Sequence, residues 1–311
     1  MSRQYPFLYL LTITLFILIL VSLIKWFQQS VLFFPTKSII WTPSFTYQQL
    51  YLDLNSTNHP KPPPEPYISA WYIPSSNPDQ KKTVLFCHGN SGNISHRSYI
   101  IDLCQTLGLN LLVFDYRGYG ESPGRPSIDS ICQDGLIVYK YLINQCTQDN
   151  IIIWGESLGG AIATYIASIY TPNCLILMCT FSSLDDVIKY QDITKFIAHL
   201  LSLTIQYLGS NLPNKLKIKY VKCPIAVIHS TEDEVIPYSC AKILYNSIPH
   251  NNKIFIKIQG SHSNPQINND HLSKLLCFCH INIDSNTNLS NWVSNLSTCL
   301  RQQKDNILNN L

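Results

Sequence analysis

Ile151-Ile152-Ile153-Trp154-Gly155-Glu156-Ser157-Leu158-Gly159-Gly160-Ala161-Ile162-Ala163 is the stretch whose reading decides the fold. Four apolar residues run into Gly-Glu-Ser-Leu-Gly, and a small-residue helical pattern follows at once. This is the G-x-S-x-G pattern in the context that gives it meaning, a strand before it and a helix after it. A serine on so tight a strand-to-helix turn takes strained backbone angles, and the glycines at 155 and 159 keep neighbouring backbone from colliding. The turn lifts the Ser157 hydroxyl clear of the sheet and sets it at a helix N-terminus, where free N–H groups favour developing negative charge.

Working outward, short apolar runs recur at Thr83–Cys87, Asn110–Phe114, Ile151–Trp154, Cys174–Met178, Pro224–Ile228 and Lys253–Ile258. Between them lie segments long enough for helices, at Arg97–Leu107, Ser130–Gln145 and Leu158–Tyr170. Strands buried on both faces and spaced by helices predict an α/β fold with a mainly parallel sheet and helices on both faces. Ligand sites in such sheets lie beyond the carboxyl ends of the strands. His88, Asn90, Asp115, Ser157, Asp233 and His262 all follow predicted strands directly. Residues 181–222, the one sizeable insertion, read as a small helical cap. Upstream, residues 32–46 read as an extended lead-in, Tyr47–Leu54 and Tyr67–Ile73 as strands, and the Pro-rich stretch between them as a loop.

A serine hydroxyl is a weak nucleophile at neutral pH, so it needs a positioned base and the base an orienting carboxylate. Asp233 and His262 follow the last two predicted strands and emerge on the same rim as Ser157. Asp185 or Asp186 is the alternative acid. Glu232 and Glu234 adjoin Asp233, but adjacent side chains point in different directions and only one can face the histidine. His88 and His229 read as braces of their own loops. The developing oxyanion needs two donors: the N–H of Leu158 and, from the loop after Thr83–Cys87, the N–H of Asn90.

Composition bounds the rest. With 46% apolar and only 13% charged residues, the chain is poorer in charge than water-soluble proteins usually are. Phe7 to Ile24 carries no charge and reads as an uncleaved single-pass anchor, a helix over about 7–26 within residues 1–31, followed by one domain over 32–311. A cleaved signal peptide is the competing reading, but Lys-Trp-Phe-Gln-Gln follows in place of small residues. A net charge of +3 without basic runs excludes nucleic acid as a partner. Eleven scattered cysteines fit a reducing compartment and show no zinc spacing. Asn55, Asn93, Asn288 and Asn295 stand in glycosylation sequons, which would matter only if the domain were lumenal. No Walker or dinucleotide motif and no His-Glu-x-x-His occurs, so no metal or organic cofactor is called for.

Four segments together carry a resemblance: Phe86-Cys87-His88-Gly89-Asn90-Ser91-Gly92-Asn93, Asp115-Tyr116-Arg117-Gly118-Tyr119-Gly120-Glu121-Ser122, Gly155-Glu156-Ser157-Leu158-Gly159 and His229 to Pro237. In this order the chain resembles the alpha/beta-hydrolase fold, and specifically its membrane-anchored branch, some of whose members remove palmitate from proteins. The resemblance implies a serine hydrolase of lipophilic esters or thioesters. It implies Ser157, Asp233 and His262 as catalytic residues and Asn90 and Leu158 as oxyanion donors. The Asp115–Ser122 stretch is expected to be a structural loop without chemistry. The chain departs from the family pattern at Ser230, where Gly is usual, at Ser263-Asn264-Pro265 after the histidine, and in its Pro-rich insert. A catalytically idle binding fold and a serine peptidase are the competing functions.

Overall fold

The computed structural model describes residues 9–16, 18, 19, 22, 32–77, 79–190, 212–281 and 293. In chain order the strands are β1 (Phe34–Pro35), β2 (Gln48–Asp53), β3 (Asn58–His59), β4 (Tyr67–Ile73), β5 (Thr83–Cys87), β6 (Ser91–Gly92), β7 (Asn110–Phe114), β8 (Ile151–Glu156), β9 (Cys174–Met178), β10 (Ile225–Ser230) and β11 (Lys253–Ile258). The described α-helices are α1 (Ser98–Thr106), α2 (Ile128–Ile143), α3 (Gly159–Ile169), α4 (Leu184–Tyr190), α5 (Asn214–Lys217), α6 (Tyr238–Asn246) and α7 (Asn269–Phe278).

Nine strands form one sheet in the order β11-β10-β9-β8-β5-β7-β4-β2-β3. From β11 to β7 every pairing is parallel, and β4, β2 and β3 complete the sheet antiparallel. Side chains alternate between its faces with the period of two that a pleated strand imposes. Ile151 and Ile153 of β8 join one core layer with Leu175, Leu177 and helices α2 and α3. Ile152 and Trp154 join the opposite layer with Ile176, Met178 and helices α1 and α7. Both faces are thus covered, which is why the central strands read as unbroken apolar runs.

Local chemistry sets the helix starts. Ser127 caps α2 through its side chain, which accepts from the Ser130 N–H at 3.1 Å. That cap starts the helix two residues before the expected Ser130. The Pro-rich loop contains a correction: Asn58–His59 pairs with Leu52 and Tyr51 as an edge strand. His59 Nε2 lies 3.0 Å from Asp53 Oδ2, and this bond draws the Asp53 carboxyl below its ordinary pKa.

Of the expected anchor over 7–26, residues 9–16, 18, 19 and 22 are described and the rest lie outside the described residues. Those described are helical and exposed, and no described helix is long and apolar enough to cross a membrane. Of the expected cap over 181–222, α4 and α5 are described, and 191–211 lie outside the described residues. The ten described cysteines are free thiols. Asn93 is fully buried with its amide donating to the Thr36 and Ser38 carbonyls, so that sequon is closed to glycosylation. Asn55 is exposed, and Asn288 and Asn295 lie outside the described residues.

Candidate active site

Ser157 sits between β8 and α3 with φ of +52°, in the left-handed region that a non-glycine residue seldom enters. Two bonds hold it there: its N–H donates to Met178 O at 3.0 Å, and the Thr180 hydroxyl donates to its carbonyl at 2.6 Å. The flanking glycines are required by close approach. A Cβ on Gly155 would lie 2.5 Å from Gly159 O, and one on Gly159 would lie 1.9 Å from Cys87 O. Any side chain at either position would force the elbow open.

His262 comes within reach because its loop closes on itself. Gln259 and Gln266 form a β-bridge, and the Gln266 N–H donates to Gln259 O at 2.8 Å. Gly260, with φ of +93°, lets the chain turn between them. His262 Nε2 lies 3.0 Å from Ser157 Oγ, and Nδ1 lies 2.7 Å from Asp233 Oδ2. The other Asp233 oxygen accepts from the N–H groups of Val235 at 3.0 Å and Ile236 at 2.7 Å. Three residues separated by up to 105 positions thus form one hydrogen-bonded chain.

Burial pushes the His262 pKa down, but the hydrogen bond and charge of Asp233, with Glu156 and Glu234 adding, raise it above the ordinary 6.5. Glu156 is half-buried, accepts from the Tyr99 hydroxyl, and has its pKa raised by desolvation. His229 donates from Nε2 to Ile236 O at 2.9 Å, bracing the Asp233 turn, and burial lowers its pKa. Asp186 is occupied elsewhere, 2.7 Å from Lys215 Nζ and 2.6 Å from the Ser182 hydroxyl.

The two glutamates beside Asp233 do more than the sequence reading assigned them. Only Asp233 reaches the imidazole, but Glu232 accepts from the Gly260 N–H at 3.0 Å and Glu234 from the His262 N–H at 2.9 Å. Ser230, where the family pattern has glycine, donates its hydroxyl to Gly260 O. This one departure from the pattern therefore helps tie the histidine loop down.

Opposite this rim stands the loop after β5. Gly89 packs on the nucleophile, its notional Cβ 3.5 Å from Ser157 Cβ. Among the described residues the backbone N–H groups of Asn90 and Leu158 have no acceptor, as donors kept for a ligand oxygen would. His88 is buried in this loop, its Nδ1 2.7 Å from Gly89 O, and burial lowers its pKa. The geometry offers a polarised hydroxyl, a base on one side of it and open N–H donors on the other. That combination suits attack on a carbonyl carbon. A cluster of Cys179, His229 and Asp233 has metal-ligating atoms within 4.8 Å of one another. Asp233 is already committed to His262 there.

A family model described as the alpha/beta hydrolase fold matches residues 82–211. An uncharacterized protein of Mycobacterium tuberculosis is 30% identical over 203 residues, 64% of this chain and 69% of that protein. The lysophosphatidylserine lipase ABHD12 of Danio rerio is 28% identical over 194 residues, 57% of this chain. The match spans half of that lipase's own length. Among solved structures, the Pyrococcus furiosus esterase Pf2001 aligns with a TM-score of 0.57 at 18% identity, covering 86% of this chain and 98% of that one. An alpha-beta hydrolase from Vibrio vulnificus aligns with a TM-score of 0.60 at 22% identity, covering 75% and 81%.

Proposed function

Because the chain belongs to the alpha/beta-hydrolase superfamily, we propose that it is a serine hydrolase of lipophilic carboxylic esters or thioesters, held at a membrane by its N-terminal segment. The observation that carries the reading is the relay from Ser157 Oγ to His262 Nε2 at 3.0 Å and from His262 Nδ1 to Asp233 at 2.7 Å. Lipase and esterase relatives support the ester class.

The chemistry follows from the proton inventory. A carboxylate only accepts, so the Nδ1 proton points at Asp233 and Nε2 is left bare to take the Ser157 proton. As Oγ bonds to the substrate carbonyl carbon, that proton passes to His262, and the carbonyl oxygen becomes an anion facing the N–H groups of Leu158 and Asn90. The tetrahedral centre collapses, and the alcohol or thiol leaves with the His262 proton. Water then attacks the acyl-serine with His262 again as base, and the carboxylic acid departs. The chemistry is complete with side-chain and backbone groups alone.

The domain is read as 32–311, with a cap over 181–222 and an anchor in 1–31. The three hydroxyls that interrupt the apolar stretch each donate to a backbone carbonyl, Thr12 to Tyr9 at 2.8 Å, Thr14 to Leu10 at 2.9 Å and Ser22 to Leu18 at 2.8 Å. Polar groups satisfied in this way suit a lipid environment. The anchor confines the site to the bilayer surface, where acylated lipids or acylated proteins are the substrates at hand.

The test is hydrolysis by the full chain in detergent or vesicles of p-nitrophenyl esters and acyl thioesters of increasing chain length, against peptide substrates. Turnover that rises with chain length and is abolished in Ser157→Ala is expected. Peptide cleavage without ester cleavage would contradict the reading.

A further inference from the structure

Five consecutive carbonyls, from His88 to Gly92, are each held by a donor. The Tyr116 hydroxyl donates to His88 O at 2.8 Å. His88 Nδ1 lies 2.7 Å from Gly89 O; a carbonyl only accepts, so the proton is on Nδ1. Asn90 O takes two bonds, from the Tyr119 hydroxyl at 2.7 Å and the Phe34 N–H at 2.9 Å. The Arg97 guanidinium donates to Ser91 O, and the Thr36 N–H to Gly92 O at 3.1 Å. The donors come from separate parts of the chain: the lead-in with β1, the loop after β7, and the residue before α1.

A peptide unit is planar, with its C=O and N–H pointing in opposite directions. The N–H of Asn90 therefore shares one rigid plane with the carbonyl of Gly89, and His88 holds that carbonyl. The peptides on either side are held by Tyr116 and Tyr119. The three rings also brace one another, with His88 centroids 4.4 Å from Tyr116 and 5.3 Å from Tyr119. Burial raises both phenol pKa values, so the hydroxyls remain donors throughout the working pH range.

Resting on the proposed acyl transfer, we propose that Tyr116 and Tyr119 are positioning residues for the oxyanion donor, fixing through the His88–Asn90 backbone the direction of the Asn90 N–H. The Asp115–Ser122 loop thereby acts on the reaction without touching substrate. This role has a distinctive signature. An oxyanion donor acts when the carbonyl oxygen becomes an anion, so loosening it lowers kcat and leaves KM nearly alone. The acid limb of the pH profile, set by His262, stays in place.

The experiment uses the full chain carrying Tyr119→Phe, Tyr116→Phe or both, each removing one hydroxyl and keeping the ring. Active sites are counted by end-point titration with a fluorophosphonate, so that kcat is read per folded site even if a variant is partly unfolded. Each single variant is expected to lose about 3–10-fold in kcat and the pair about 30-fold, a fraction of what losing the donor itself would cost. KM for p-nitrophenyl butyrate should stay within about twofold. Affinity for an alkyl boronic acid, which mimics the tetrahedral state, should fall in parallel with kcat. An unchanged kcat per titrated site in the double variant overturns the assignment, as does a loss confined to KM. Native protein that hydrolyses no ester overturns the proposed reaction together with this inference; native turnover with unaffected variants overturns the inference alone.

Discussion

The two rims that flank Ser157 are held in opposite ways. On one side, Asp233, Glu232 and Glu234 secure the histidine loop with carboxylates, and the two glutamates are exposed. On the other, buried donors secure the oxyanion loop, neutral apart from the Arg97 guanidinium, with Tyr116 and Tyr119 fully buried. Charges near solvent titrate and are screened by salt; buried phenols and backbone groups do neither. The comparison teaches that pH and ionic strength should act on the reaction through the histidine rim alone. Geometry should be the sole lever on the oxyanion rim.

The largest effect expected is from Asp233→Asn. An amide in place of the carboxylate turns the imidazole to the wrong tautomer, and kcat should fall by about 10⁴. The base must be neutral to work, and the His262 pKa lies above 6.5, so native activity should be half-maximal above that pH on the acid side. Asp233 is what raises it against burial. The residual activity of the variant should therefore show its acid limb at lower pH, read from a kcat/KM profile.

Asn90→Pro removes an oxyanion N–H and should cost about 10²–10³ in kcat. Its acid limb should coincide with that of the native protein. A shifted limb would show that the two rims are coupled and break the comparison.

Glu234→Gln keeps an acceptor for the His262 N–H and removes the charge. Its acid limb should move to lower pH, by less than in Asp233→Asn because Glu234 is exposed and screened, with plateau kcat within about threefold of native. Raising salt from about 0.05 to 0.5 M should move the native limb slightly the same way and leave the Glu234→Gln limb nearly fixed.

How much of this was legible in the sequence divides along the same line. The parallel sheet could be read because β5, β7, β8 and β9 are buried on both faces and carry unbroken apolar runs. Ser157, Asp233 and His262 stood out because each follows a strand of this sheet, the last of them following the partly exposed edge strand β11. The roles of Glu232 and Glu234 were not legible, because reach to backbone N–H groups 28 residues away depends on how the 259–266 loop closes. The tyrosines at 116 and 119 carried a signal, two phenols in a segment otherwise made of turn residues, but their acceptors are carbonyls that sequence does not locate. Asn93 shows the same limit from the other side. Its sequon is visible in sequence, and only the fold shows that its amide is buried and committed.

The most direct measurement is to treat the full chain with a fluorophosphonate probe and locate the adduct by mass spectrometry of the digested protein. One probe per chain on Ser157, with labelling that follows the acid limb of ester hydrolysis and is absent in Ser157→Ala and slowed in His262→Ala, is the predicted result. Folded protein that takes up no probe, or labels elsewhere with Ser157→Ala unaffected, would contradict the account.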